Sequence, residues 1–528
     1  MRLTLLIVAF SILISSFLIA PAQNTSRNAN QWYVAGQAFF QLKDFKAAEE
    51  AFTNAIRLNP TAANWRWLGE TRVKLEDYDG ASLAFGKAIA LYRKIRGQEI
   101  TANALENLTN QYRQEGEFYL LDKAEPLNVK LAKLEPVSGM LLGTYVDETG
   151  INRDGRINTM ERVGTGFAVY FRYFDLIEPR SATFEKPFFP FRFAAAVKRT
   201  GAAMHLALEP KMPLARVSQN LVTTFAKEAA RSGIPIYLRF AAEFNDPANE
   251  WSRNPKLYIQ KFRMVHDIMA KIAPNVAMVW MPMASRLEVI DQYFPGDAYV
   301  DWVGLSLYSL PFVNGNTNDS GERLNPLDAI KNFYAKYAQR HPMQISEYAS
   351  SHRSLAAPKF GFSLFAQTKL RMLFWGAYLK FPRLKNINWL DLDMIDGRFV
   401  GSRQIERRND YRLFVPGKRE AYRELFFEPY FLARYDLENS VKRPIPIPEV
   451  LKYYGILRLG AWVKTFEPYI TKVDFLLDGK PISSADRLPY SFELNTNSIK
   501  PGKHTLKLRA FDVRGKRLMV RQKVFKLL

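Results

Sequence analysis

Eight short apolar runs punctuate residues 137–437, and several of the stretches between them have helical periodicity. The runs are GMLLGTYV, GFAVYFRYF, AAMHLALEP, IPIYLRFA, VAMVWMPM, DWVGLSLY, MQISEYA and INWLDLDM, each apolar and bounded by turn residues as strands are. Between them, Arg216 to Ser232 places Val217, Leu221, Val222, Phe225 and Ala229 on one helical face. Strands that alternate with helices imply a parallel sheet. Eight such units predict a (β/α)8 barrel. A doubly wound sheet has the same alternation, but polar residues gather at the strands' C-terminal ends, where barrels build their sites, and this favours the barrel.

IPIYLRFAAEFND delivers Glu243 to the end of strand 4, with Asn245 two residues on. HPMQISEYAS places Glu347 at the corresponding end of strand 7. One such carboxylate has a structural explanation, as a partner for Arg239 or a cap for the next helix. Two are harder to dismiss, because strands 4 and 7 face each other across a barrel mouth. Desolvation there raises a carboxyl pKa and suits it to general-acid work. Facing carboxylates about 5–5.5 Å apart are the equipment of glycosidic cleavage with retention, one as acid/base and the other as nucleophile.

The same segments carry a resemblance. LRFAAEFN, QYFPGDAYVDWVGLSLY and QISEYAS resemble glycoside hydrolase family 26, the β-mannanase family and its relatives, whose clan is marked by glutamates closing strands 4 and 7. The likeness spans roughly residues 137–437 and is strongest around strands 4, 6 and 7. It implies Glu243 as acid/base, Glu347 as nucleophile and Tyr308 as a hydrogen-bond partner of the nucleophile. The chain departs from the family pattern on the acid/base loop. Ala242 stands where histidine commonly precedes the acid/base, Asp246 where glycine is usual, and DPANE delays the expected tryptophan to Trp251.

Other residues are candidates for the mouth. Trp251, Trp280 and Trp389 either stack on sugar rings or pack in the core; Trp302, inside strand 6, is expected in the core. Glu209 ends strand 3 and shares a side with His205, so both are candidates to line the cleft. Asn245 and Arg239 join the substrate-binding set, with Arg239 on the face of Glu243 where it holds nearby carboxylates ionised. Asp391 and Asp393 end strand 8, for hydrogen bonding in a subsite or for helix capping. The five histidines lack HxxxH and HxH spacing and the chain has no cysteine, so neither metal nor cofactor is expected.

Residues 30–136 are helical and repetitive. Trp32 pairs with Trp65, Gly36 with Gly69, Ala48 with Ala81, Phe52 with Phe85 and Ala55 with Ala88, always 33 residues apart. Small residues at fixed points let paired helices approach while the aromatics fill the space between. Pro60 ends the first unit, and the pattern resembles the tetratricopeptide repeat. A third unit ending KAEPLNVKLAKLEP keeps only Ala124 and Pro136 in register and reads as a degenerate cap. The resemblance implies binding of a protein partner; the alternative is a helical spacer.

Residues 440–528 alternate in twos between Gly, Pro, Asp and Asn turns, which predicts a small β-sandwich. VDFLLDGKPI and its continuation resemble bacterial immunoglobulin-like modules of secreted glycosidases. Residues 441–528 carry 18 Lys/Arg against 7 Asp/Glu, half of the chain's net charge of +22. That excess is either ordinary solvation or attraction to an anionic envelope polymer or membrane surface. Residues 1–23 have one charge, an apolar run and an Ala20-Pro21-Ala22 site, as a secretory signal or an N-terminal anchor does. A secreted or membrane-anchored, extracytoplasmic protein follows, for which nucleic acid is not an expected partner. Two functions fit: a polysaccharide hydrolase, or a catalytically silent glycan-binding scaffold.

Overall fold

The computed structural model describes residues 27–123, 127–158, 165–177, 188–395, 407–452 and 455–528. The expected signal or anchor at 1–23 and Ala124 of the third repeat lie outside the described residues. Two compact units emerge, one of residues up to Glu115 together with Val463–Glu467, the other of Gly116–Trp462 and Pro468–Leu528.

The helical unit contains Ala29–Gln41, Phe45–Leu58, Ala62–Lys74, Tyr78–Tyr92 and Glu99–Tyr112. The repeat has a direct packing cause. A Cβ added at Gly36 would lie 2.7 Å from the Phe52 ring, and one at Gly69 would lie 2.5 Å from the Phe85 ring. In each pair the missing side chain is the space an aromatic ring fills. Asp44 and Asp77, also 33 apart, cap their helices by accepting from Ala47 N and Gly80 N. Phe466 belongs to this unit, its ring 4.4 Å from that of Tyr78 and 5.2 Å from that of Tyr112.

The eight apolar runs form the eight barrel strands. Strands 1 to 4 are Met140–Tyr145, Val169–Leu176, Ala203–Pro210 and Ile236–Phe240. Strands 5 to 8 are Val276–Trp280, Trp302–Ser309, Met343–Ser350 and Leu384–Trp389. Each pairs in parallel with the next, and strand 8 closes on strand 1 from Asn386↔Leu141 to Trp389↔Thr144. Gly143 is required for that closure, since a Cβ there would lie 1.9 Å from Asn388 Oδ1. The helix expected from Arg216 to Ser232 runs from Gln219 to Ser232, capped by Ser218 and ended by Gly233 in the left-handed region.

The helical region expected over 30–136 stops earlier. Residues 130–136 close the barrel floor instead. Trp302 Nε1 donates to Lys133 O at 2.7 Å, Tyr237 Oη to Leu134 O at 2.7 Å, and buried Glu135 accepts both arms of Arg383 at 3.0 Å. Trp302 is core, as the sequence predicts.

Glu115–Lys123, which the sequence places among the repeats, is a strand. It is the second strand of a four-stranded sheet, between Arg443–Pro446 and Ile456–Lys464, with Phe492–Asn495 at the far edge. A five-stranded sheet holds Val450–Leu451, Arg517–Leu527, Gly502–Phe511, Lys472–Leu477 and Lys480–Ala485, in that order. Phe475 and Phe492 stack across the two sheets at 4.2 Å. The alternation missed the first strand because its partners lie more than 300 residues away in sequence.

A chain starting at residue 137 lacks an interior strand of the sandwich and the barrel's floor, whereas one starting at 114 keeps both. Limited proteolysis should therefore find residues 440–528 protected in the longer truncation and cleaved in the shorter. Equal protection of the two would show the strand to be dispensable.

Candidate active site

Strand 4 is buried throughout, and the chain changes conformation where it ends. Ala241 and Glu243 take φ values of 45° and 54°, in the left-handed region that side chains disfavour. Such a backbone costs on the order of 1–3 kcal/mol per residue and persists only where its surroundings hold it. They do. Ala241 N donates to Leu208 O at 3.1 Å on one side, and Glu243 N to Met281 O at 2.8 Å on the other. Trp251 Nε1 donates to Ala242 O at 2.7 Å and Asn249 Nδ2 to Glu243 O at 3.0 Å.

The Glu243 carboxyl is half-buried, and Ser306 Oγ of strand 6 donates to its Oε1. Burial is the largest influence on its acidity and the neighbouring Glu347 charge the next. Ser306 and Arg239 oppose them, and the balance pushes the group up to about 7. Protonated and ionised forms are thus both accessible near neutrality.

Glu347 lies within strand 7 and is 4% exposed. Tyr173 Oη donates to its Oε2 at 2.6 Å, Tyr308 Oη donates to the same oxygen, and the Arg239 guanidinium pairs with Oε1. Arg239 is itself 1% exposed, its Nη1 3.1 Å from Met281 Sδ and its guanidinium 4.8 Å and 5.2 Å from the Phe171 and Tyr173 ring centres. Burial, then the Glu347 charge, pushes both phenols well above their usual range, so they remain donors.

The remaining candidates sort by position. Glu209 stays at the mouth, half-buried, with Lys211 Nζ 3.0 Å from its Oε2 and 3.4 Å from Asp175. Trp251 is half-buried on the loop that follows Glu243. His205 does not line the cleft. It is fully buried one layer below Arg239, 2.8 Å from Asn388 Nδ2, and burial with the Arg239 charge lowers its pKa well below the usual value. Asn245 is also buried and fully occupied, donating to Met283 O and Ser285 O and accepting from Met283 N, so it anchors the segment after strand 5.

Trp280 and Trp389 are core residues. Trp280 is 0% exposed among Phe244, Phe294, Phe333 and Tyr337, because the last residue of strand 5 points outward to the helices. Trp389 is likewise 0% exposed, against Tyr348 and Tyr422. Asp391 and Asp393 organise the loop after strand 8, through Leu413 N at 2.8 Å and Arg412 at 3.0 Å.

Three site residues escaped the sequence reading: Tyr173, Ser306 and Tyr411, whose ring stacks on Tyr308 at 5.4 Å. The signal for the first two was strand alternation. Tyr173 follows Phe171 by two, and Ser306 precedes Tyr308 by two. Among the described residues no group of three or more His, Asp or Glu is arranged to hold a metal ion.

Residues 207–332 match the profile of Glycosyl hydrolase family 26, and residues 29–62 that of a tetratricopeptide repeat. The chain carries a family 26-like barrel and a repeat-type helical unit. Glu243, Ser306 and Tyr308 fall inside the matched stretch; Glu347 falls beyond it. Over 81 residues the chain is 37% identical to the β-1,3-xylanase TXYA of a Vibrio species and 35% identical to a β-1,3-xylanase of an Alcaligenes species. Each alignment covers 14% of this chain and 17% of the relative's length. Among solved structures, an endo-β-1,4-mannanase double mutant of Cellulomonas fimi aligns with a TM-score of 0.40 and 15% identity, covering 75% of this chain and 96% of that one. The endo-β-1,4-mannanase of Thermotoga petrophila aligns at 0.38 and 12%, covering 74% and 98%. Neither superposition is close enough to bear on activity.

Removing one member of a buried ion pair costs about 3–5 kcal/mol, because the other charge is left unpaired. Arg239→Met should lose that much in a denaturant titration. The double change Arg239→Met with Glu347→Gln should recover part of it. A single variant as stable as the parent would mean that the pair is not buried as described.

Proposed function

We propose that the protein is a retaining glycoside hydrolase that cleaves a β-linked polysaccharide at the cell envelope. One observation carries the reading: two electrostatically coupled carboxyl groups from strands 4 and 7 sit in opposite environments. Glu243 is raised by burial into the range where it protonates a leaving oxygen. Glu347 is gripped by a guanidinium and two phenols, which hold its orientation. The family 26 match over strands 4 to 6 supports the same chemistry.

In this reading Glu347 attacks the anomeric carbon while Glu243 protonates the glycosidic oxygen, giving a covalent glycosyl-enzyme. Glu243, now ionised, then takes a proton from water, which displaces Glu347. Oε2 of Glu347 already accepts two phenol hydrogen bonds. The substrates this reading nominates are β-mannan, β-1,3-xylan and related exopolysaccharides. We assign the repeats to binding a protein partner, the two-sheet module to an immunoglobulin-like fold, and residues 1–23 to export or anchoring.

The rival is a silent glycan-binding barrel, favoured by Ala242 where histidine is usual. One experiment separates the two. Glu347→Ala should abolish turnover, and azide should restore it as a glycosyl azide of inverted configuration, since the anion attacks the sugar directly. Glu243→Ala should spare the first step on substrates with good leaving groups, slow the second, and yield a retained azide. Parent and variants equally inert on mannan, β-1,3-xylan and native exopolysaccharide would leave the scaffold reading standing.

The pH profile gives a further test. Ser306 donates to Glu243 and so favours its ionised form; removing that donor raises the pKa. Because the first step needs protonated Glu243, Ser306→Ala should move the alkaline limb of kcat/KM above the parent's limb near 7. An unmoved or lowered limb would assign that limb to another group.

A further inference from the structure

The five-stranded sheet of the sandwich turns one face inward and one outward, and a group of its basic residues lies on the outward face. Along Gly502–Phe511 the buried positions are Leu506, Leu508 and Ala510, so Lys503, Lys507 and Arg509 project from the other side. Along Arg517–Leu527 the buried positions include Phe525 and Leu527, which puts Lys526 on the same outer side. The register sets Lys503 directly opposite Lys526. Like charges directly opposed in an antiparallel pair destabilise it. None of Lys503, Lys507, Arg509 and Lys526 is ion-paired among the described residues; the acidic residue on this face, Asp474, is taken by Lys472 at 3.0 Å.

We propose that this outer face binds an acidic polysaccharide in extended form, a chain whose carboxylates recur along its length. Successive side chains on one face of a strand stand about 7 Å apart, and neighbouring strands about 4.8 Å apart. The cations therefore form a two-dimensional array over a flat surface rather than a pocket for one ion. Such an array fits an extended polyanion. The face's apolar members include Val520 and Val524, 37% and 40% exposed, Val450 opposite Lys526, and half-buried Phe511, over whose ring Lys472 Nζ lies at 5.7 Å. A lipid surface is the competing anionic partner, and the vesicles in the test below separate it from the polysaccharide. The inference rests on the polysaccharide reading above, and it makes the sandwich the site that holds an acidic polymer beside the barrel.

The test measures binding by the full chain without turnover, so it stands whether or not the barrel is active. Polygalacturonate, neutral galactomannan and vesicles of phosphatidylglycerol with phosphatidylcholine are the probes, each titrated at rising salt. The parent should bind polygalacturonate, and binding should weaken steeply with salt, since exposed charges are screened within about 8 Å at physiological ionic strength. The change Lys503→Gln, Lys507→Gln, Arg509→Gln and Lys526→Gln should weaken it by roughly tenfold or more and flatten the salt dependence. A parallel quadruple change to glutamine at Lys46, Lys74, Lys87 and Arg57 of the helical unit should leave binding intact. Equal loss in both quadruple variants would reduce the effect to net charge and overturn the proposal. So would parent-like binding by the sheet variant, equal binding to galactomannan, or binding to vesicles alone.

Discussion

A guanidinium and a carboxylate, both all but excluded from water, meet at the centre of the barrel. Taking two such charges out of solvent costs several kcal/mol per ion, and the pair is tolerable only where further contacts fill what the ions leave open. The barrel supplies those contacts from strand after strand. Phe171 and Tyr173 of strand 2 lie against Arg239, Met281 follows strand 5, Tyr308 comes from strand 6 and Glu347 from strand 7. A slip of one residue in any of these strands would turn its contribution to the helix side. The pair therefore fixes the barrel's register as much as its chemistry.

The same arrangement separates two glutamates that local sequence alone treats alike. Glu347 sits inside a regular strand, where alternation aims it inward. Glu243 sits three residues beyond its strand and reaches the mouth through two residues in left-handed backbone. The neighbouring strands hold that backbone through Leu208 O and Met281 O, and Asn245 fastens the adjoining segment. Asn245 thus stabilises the loop rather than touching substrate. Its position beside Glu243 reflects that structural duty.

How much of this was legible in the sequence depended on the range of the interaction. The eight strands and the 33-residue repeat were readable because each rests on local periodicity. The carboxylates at strands 4 and 7 were readable because barrel topology relates strand ends without side-chain detail. The tryptophans were not. Trp280 and Trp389 end their strands as mouth residues do, yet both project to the helix side, and a shift of one position decides between cleft and core. The boundary at 136 failed for a different reason. Residues 115–123 join a sheet completed more than 300 residues later and residues 130–136 the barrel floor, partners that no local window contains.

Those long-range contacts also change what the sandwich is. Helix Ser363–Lys380 is apolar all round from Met372 to Leu379: Phe374 meets Tyr422 and Phe431, while Gly376 lies so close to Leu327 and Trp462 that a Cβ would come within 2.3 Å and 2.8 Å of them. A helix apolar all round must be covered all round, and here one cover is the barrel and the other is the four-stranded sheet. Lys380 reaches Glu117 of that sheet at 2.6 Å, and Arg458 reaches Glu428 at 2.7 Å. Glu424 holds Arg371 at 2.8 Å and Arg487 at 3.2 Å, one from each side of the junction. A module tethered by a linker would have none of these constraints. The sandwich is built into the barrel's outer layer, with a strand drawn from before the barrel and a helix that neither part could bury alone. Any polymer held on its outer sheet is therefore held in a fixed relation to Glu243 and Glu347, which is the condition for binding at one place to raise local concentration at the other.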